Sequence, residues 1–338
     1  MATPHNKYKS RFGATVLALT TTGILAVVGM MAGTASAQEK TAGQAWPAAQ
    51  QVSMDKIDHS SYDKLLQKYV DKNGMVAYKA WHASATDRQT LTNYLAHLSQ
   101  ASLNQPASRE AQLAYWINAY NAVTLEGILR VYPTSSIKNH TKALGYNIWK
   151  NLLLHTGDRK LSLEDIEHKV LRKMNEPRIH FAIVCASIGC PRLLNRAYFP
   201  QTLGKQLVVN TQDFFSRSQN LQVSGNTLNM SKIMQWYGSD FAQSPQQQAQ
   251  VLAKYFPQSA QQVVASGNFG VGYLGYDWNL NEGTTVNNGT ANGSSNGSST
   301  SNGSNTASGS STSNGSSTSN GSGTASGSST SSGSANRN

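Results

Sequence analysis

The chain of 338 residues has a net charge of +11 with only 13% charged residues, an average over three unlike regions. Residues 1–37 hold three basic residues and no acid, residues 283–338 hold the single charge Arg337, and the remaining 24 basic and 17 acidic residues lie between them. The aromatic and aliphatic content of that middle excludes a fibrous, collagen-like or wholly disordered chain, and its length can bury a sizeable core.

A basic stretch ending at Arg11 precedes an apolar run from Phe12 to Ala32 and then Ala35-Ser36-Ala37. Small residues three and one before a cut are what signal peptidase accepts, so residues 1–37 read as an export signal cleaved after Ala37. Retained, the run is about long enough to span a membrane, but Thr20, Thr21, Thr22 and its glycines weaken it as a span. No further apolar run of that length follows, so no stable transmembrane span is expected after cleavage, and the mature chain is expected to be periplasmic or extracellular. Residues 38–59 read as a linker and residues 60–282 as one globular domain.

Within the domain a helix is expected from Tyr62 to about Val70, then a turn at Asn73-Gly74. A second helix spans about Thr86 to Leu98. The strongest signal is Glu110 to Tyr132, closed by Pro133. Its apolar side chains surround the axis, as in a central helix buried on most sides. Ser162-Leu-Glu-Asp165 has capping-box spacing and opens a helix with the stripe Leu163, Ile166, Val170, Leu171 and Met174. Arg178 to Ala186 reads as a buried strand. Leu221–Val223 and Thr227–Met230 flank a hairpin turn, helices follow at Ser231–Tyr237 and Gln246–Phe256, and Gly270–Asp277 reads as an edge strand or loop. Helices cluster before strands, so the class is α+β: a helix-rich single domain with a small, mostly antiparallel sheet. Residues 283–338 are almost entirely Ser, Gly, Asn and Thr, and read as a flexible coil with six Asn-Gly-Ser/Thr sequons.

Cys185 and Cys190 are the sole cysteines, placed where the strand meets a Gly-containing turn. They suit either a small disulfide loop in an exported chain or a nucleophilic thiol at Cys185. A thiol nucleophile needs a base. His180 is nearest, but on a regular strand a spacing of five puts it on the face opposite Cys185. Glu167 falls within the apolar stripe of its helix, so it must be paired, protonated or beside a polar site. Arg172, Arg178 and Arg130 are its expected ion-pair partners, and His168 flanks it. Asn118 and Asn121 share one side of the buried helix, where they either anchor the following loop or line a polar cleft. No second Cys/His cluster completes a metal set, so no metal or other cofactor is expected. The basic charge is dispersed, which argues against nucleic acid and leaves a cell-envelope polymer or peptide as the expected partner class.

Four runs together resemble the signature segments of the domain-of-unknown-function family 547. They are Tyr115-Trp-Ile-Asn-Ala-Tyr-Asn-Ala122, Ser162-Leu-Glu-Asp-Ile-Glu-His168, Pro177-Arg-Ile-His-Phe-Ala-Ile-Val-Cys-Ala-Ser187 with Cys190-Pro191, and Ser231-Lys-Ile-Met-Gln-Trp-Tyr237. They occur in the family's order across most of the domain, and the resemblance implies an exported bacterial protein without a settled activity. A looser likeness is to papain-like and transglutaminase-like cysteine hydrolases, which place a buried helix before a strand carrying the catalytic His. Those enzymes put the nucleophilic Cys at the start of the helix, where this chain has Tyr115, Trp116 and Asn118.

Two functions stand open from the sequence. One is an exported cysteine-dependent hydrolase or acyl-transfer enzyme, with Cys185 as nucleophile, His180 or His168 as base, and Glu167 or Asn118 as orienter. The other is a non-catalytic cell-envelope module stapled by a Cys185–Cys190 disulfide.

Overall fold

In the computed structural model, residues 40–141 and 147–287 are described. The expected export signal, and the expected coil beyond residue 287, lie outside them. In chain order the fold opens with β1 (Lys40–Ala42), α1 (Ser60–Tyr69), α2 (Tyr78–Ala83), α3 (Ala85–Leu98) and α4 (Arg109–Val131). It continues with α5 (Ile148–Asn151), β2 (Leu152–Thr156), β3 (Arg159–Leu161), α6 (Leu163–Asp165) and α7 (Leu203–Ser216). The closing elements are β4 (Leu221–Ser224), β5 (Thr227–Met230), α8 (Lys232–Tyr237), α9 (Pro245–Leu252), α10 (Gln258–Ala265) and β6 (Gly270–Tyr273). The α+β class holds, and among the described residues no helix is long and apolar enough to cross a membrane.

The expected single, mostly antiparallel sheet is instead two three-stranded sheets. In each, a local antiparallel hairpin (β2–β3, β4–β5) is extended by a parallel strand, β1 beside β2 and β6 beside β5. The added strands come from distant sequence, so no turn chemistry announces them. The residues read as a linker supply β1, and Met54 and Ile57 from that segment are buried. At the other end, Gly283 N–H donates to Val76 O, so the first residues of the tail also lie against the fold.

Helix α4 is capped by the Ser108 hydroxyl, which accepts from Ala111 N–H, and nearly every residue from Ala111 to Leu129 is buried. It is the central helix expected from its all-round apolar surface. One core gathers around it from α1, α3, β2 and the loop at 193–198. A second core holds Phe181, Phe214, Phe215, Leu228 and Met230. Segment 179–184 runs along the seam, with Ile179, Ile183 and Val184 in the first core and Phe181 in the second.

His59 is buried in the first core, with Nδ1 2.7 Å from the Tyr94 hydroxyl. Burial pulls its pKa down to about 4 against the opposing charge of Asp58. The unfolded chain therefore binds the extra proton between pH 6.5 and 4. The stabilising contribution is complete above 6.5 and is lost as pH falls through 4, an effect on the order of 3 kcal/mol. Urea denaturation at pH 7 and pH 4 should show this loss, and His59→Gln should flatten that part of the profile. A variant retaining the full pH dependence would remove His59 as its cause.

Candidate functional site

Residues 177–190 do not form the expected strand. Pro177–Phe181 is a short 3-10 helix, followed by an irregular path in which Ala186 takes a left-handed φ of 60°. The apolar run is buried because it passes between two cores, and side-chain amides replace the sheet ladder. Asn121 Nδ2 donates to Ala182 O at 3.0 Å, and Val184 N–H donates to Asn121 Oδ1 at 2.9 Å. Asn210 Nδ2 donates to Phe181 O. An apolar residue in place of Asn121 would orphan a buried carbonyl and a buried N–H, each costing about 1–3 kcal/mol. Asn118 clamps Tyr198 in the same way, donating to its carbonyl and accepting from its N–H. Both amides are thus loop anchors, and Asn118 does not line the cavity described below.

Without strand alternation, the argument that His180 and Cys185 face opposite ways loses its basis. Both line one cavity of about 120 Å³, together with Glu167, Cys190, Tyr120, Tyr237 and Tyr276. Trp149, Trp236 and Trp278 form further parts of its walls, with Ile183, Pro191 and Ile233. Such a space compares with engineered cavities that take a single benzene ring, and falls below the usual drug-sized pocket. The ring of Tyr276 lies 4.9 Å from Trp236 and 4.5 Å from Trp278, and Trp236 is 46% exposed.

The two cysteines are free thiols with sulfurs 2.7 Å apart. Cys185 N–H donates to Cys190 Sγ at 3.0 Å, and the Tyr276 and Ser187 hydroxyls touch both sulfurs, at 3.1 and 3.3 Å from Cys190 Sγ and 3.4 and 3.3 Å from Cys185 Sγ. Burial alone would raise this thiol's pKa. Hydrogen bonds from Cys185, Ser187 and Tyr276 outweigh it and bring Cys190 down to about 6. Cys185 goes the other way, pushed well above the usual thiol range by its hydrogen bond to Cys190 and by burial. Of the two sulfurs, Cys190 is thus the one favoured as thiolate, whereas the sequence reading places the nucleophile at Cys185. The loop that carries them needs glycine at 189, because a Cβ there would meet Asp277 N at 2.9 Å.

His180 is almost fully buried and stacks on Tyr237 at 4.3 Å. Its Nε2 lies 2.8 Å from Asp240 Oδ2, so the proton sits on Nε2 and Nδ1 keeps a free lone pair. Burial lowers the His180 pKa, opposed by the hydrogen bond to Asp240 and the charge of Glu167. Asp240 is itself gripped by Arg172, whose Nε and Nη2 donate at 2.7 and 2.6 Å. That pairing leads the fall of the Asp240 pKa to about 2, against burial and with help from His180.

Glu167 has none of its expected ion pairs. Arg172, Arg178 and Arg130 are bound to Asp240, Glu176 and Glu126. Its carboxylate instead accepts from the Tyr120 hydroxyl at 3.1 Å. The capping box at Ser162 and Asp165 is present, but the helix widens into a π turn at Ile166–Val170 before tightening at Leu171–Met174. Single π turns recur at functional sites, and this one carries Glu167 to the cavity. His168, in the same turn, contacts Arg172 Nη1 at 3.3 Å and does not line the cavity. Among the described residues no group of three or more His, Cys, Asp or Glu is placed to hold a metal ion.

Of the residues singled out from the sequence, Cys185, Cys190, His180 and Glu167 line this cavity and His168 and Asn118 do not, while Asp240 and Tyr276 were not singled out. Trp236 and Tyr237 stood in the run Ser231–Tyr237, and Tyr276 in the Gly- and aromatic-rich segment 270–277. Nothing local distinguished Asp240.

Fold and site define an α+β protein with a close dithiol beside a His–Asp pair in an aromatic cavity. Residues 104–215 match the family described as protein of unknown function, DUF547, the family that the four sequence runs resemble. No curated protein and no solved structure matches the chain. The strand on which the likeness to papain-like and transglutaminase-like folds relied is instead a 3-10 helix over Pro177–Phe181 followed by an irregular path.

Proposed function

We propose that this chain is an exported cysteine-dependent acyl-transfer enzyme, a hydrolase or transferase of the cell envelope, with Cys190 as nucleophile. The observation that supports this reading is the Cys185 N–H aimed at Cys190 Sγ, beside two hydroxyls shared by both sulfurs, inside a cavity that also receives His180, held by Asp240. A small acyl group enters the aromatic cavity. Cys190 thiolate attacks its carbonyl, the C–S bond forms, and the leaving group departs and takes a proton from water. A second water then attacks the thioester as His180 Nδ1 accepts its proton. The C–S bond breaks, Cys190 leaves as thiolate, and the ring returns its proton to solvent. Burial keeps the Tyr276 phenol protonated, so it can donate to the developing oxyanion once Cys190 is acylated.

The test is incubation of the full chain with p-nitrophenyl acetate, followed by quenching and peptide mass mapping. One acetyl is expected on Cys190, removable by hydroxylamine as a thioester is. Absence of an adduct, or acetyl on Cys185 alone, would overturn the assignment. The first outcome would favour the non-catalytic module.

A further inference from the structure

We propose that Cys185 and Cys190 also form a redox-active dithiol that exchanges with small disulfides in the aromatic cavity. This activity does not depend on acyl transfer. Its geometry is already assembled, since the sulfurs lie 2.7 Å apart and both cysteines line a cavity with the half-exposed Trp236 among its walls. Bond formation at about 2.05 Å needs sulfur movement of well under about 1 Å.

The loop is pinned on both sides, which holds the sulfurs together before any reaction. Cys190 N–H donates to Ser187 O, Ile188 N–H to Asn279 O, and Gly189 N–H to Asp277 O. Ser187 also forms a backbone bridge with Leu280. A buried and a partly buried thiol in mutual contact are the parts of an exchange couple.

The pair is asymmetric, and the asymmetry assigns the roles. Cys190 is the attacking sulfur, because the Cys185 N–H donates to it at 3.0 Å, whereas the Ser187 and Tyr276 hydroxyls serve both sulfurs. Cys185 is the resolving sulfur, adjacent but protonated. Cys190 thiolate attacks a low-molecular-weight disulfide, forming a mixed disulfide and releasing one thiolate. Cys185 then loses its proton and attacks Cys190 Sγ, forming the Cys185–Cys190 bond and releasing the second thiolate. The two electrons leave the protein dithiol and reduce one small disulfide to two thiols. A small thiol in excess reverses both steps.

The test equilibrates the full chain across ratios of reduced to oxidised glutathione, traps free thiols by acid and alkylation, and reads intact mass. The expected result is a reversible dithiol–disulfide transition that follows the ratio. In Cys185→Ser, a glutathione adduct should accumulate on Cys190. In Cys190→Ser, the adduct on Cys185 should be at least about tenfold less abundant, since attack follows the thiolate. A pair that stays oxidised under excess thiol, or stays reduced under excess disulfide, would overturn the proposal. So would equal trapping in the two variants. The titration of the unmodified chain stands even if a variant fails to fold. Exchange without acetylation sinks only the acyl-transfer reading, and acetylation without exchange sinks only this one.

Discussion

Replacing Cys190 with Ser is expected to lower acylation by p-nitrophenyl acetate by about a thousandfold or more. A serine hydroxyl sits several pKa units above a thiol, and the donors that stabilise a thiolate at this position cannot ionise it. Cys185→Ser should cost far less, because the backbone N–H of residue 185 and the hydroxyls of Ser187 and Tyr276 still point at Cys190 Sγ. The pH dependence provides an independent check. With the Cys190 pKa brought down to about 6, labelling by iodoacetamide should rise with pH, reach half its plateau near 6 and change little above 7. A midpoint near 9, or labelling confined to Cys185, would show that the thiolate has been assigned to the wrong sulfur.

Asp240→Asn should lower turnover by at least about a hundredfold while sparing the first acylation. The carboxylate accepts from His180 Nε2 and so leaves Nδ1 unprotonated, whereas an amide can present its own N–H to Nε2 and reverse the tautomer. The base for attack by water is then lost, but the thiolate is not. A burst of p-nitrophenol followed by a very slow steady state is the expected signature. Loss of the burst as well would mean that the substitution had damaged the cavity itself. The variant should also be less stable by about 2 kcal/mol at neutral pH, because the Asp240 carboxylate is ionised far more readily when folded. The sign follows from a depressed acid: the contribution is present above the unfolded value of 3.8 and lost as pH falls through about 2. Urea denaturation of both proteins at pH 7 measures it.

The strand error at residues 178–186 has an instructive cause. A continuous apolar run reports burial, and burial was read as a sheet interior. Here the run lies between two cores, and its backbone groups are satisfied by Asn121, Asn210 and the Cys190 sulfur. Asn118 and Asn121 were visible as oddities in a buried helix, and one of their two expected roles, anchoring a loop, is the one they have. Glu167 was also visible, since a carboxylate in an apolar stripe demands an explanation. Its partner was not, because Tyr120 lies 47 residues away.

By itself the sequence determined the α+β class, the buried α4, the capping box at Ser162 and the hairpin of β4 and β5. These rest on local periodicity, capping and turn chemistry, which act over a few residues. It also singled out Cys185, Cys190, His180 and Glu167 as polar residues inconsistent with a plain core. Only the tertiary structure shows that the Cys185 N–H reaches Cys190 Sγ, that Asp240 hydrogen-bonds His180 and that aromatic residues from four separate segments wall the cavity. The last two depend on groups far apart in the chain meeting at a few ångströms, and a hydrogen bond or charge at that range sets a pKa or a tautomer that no local spacing encodes.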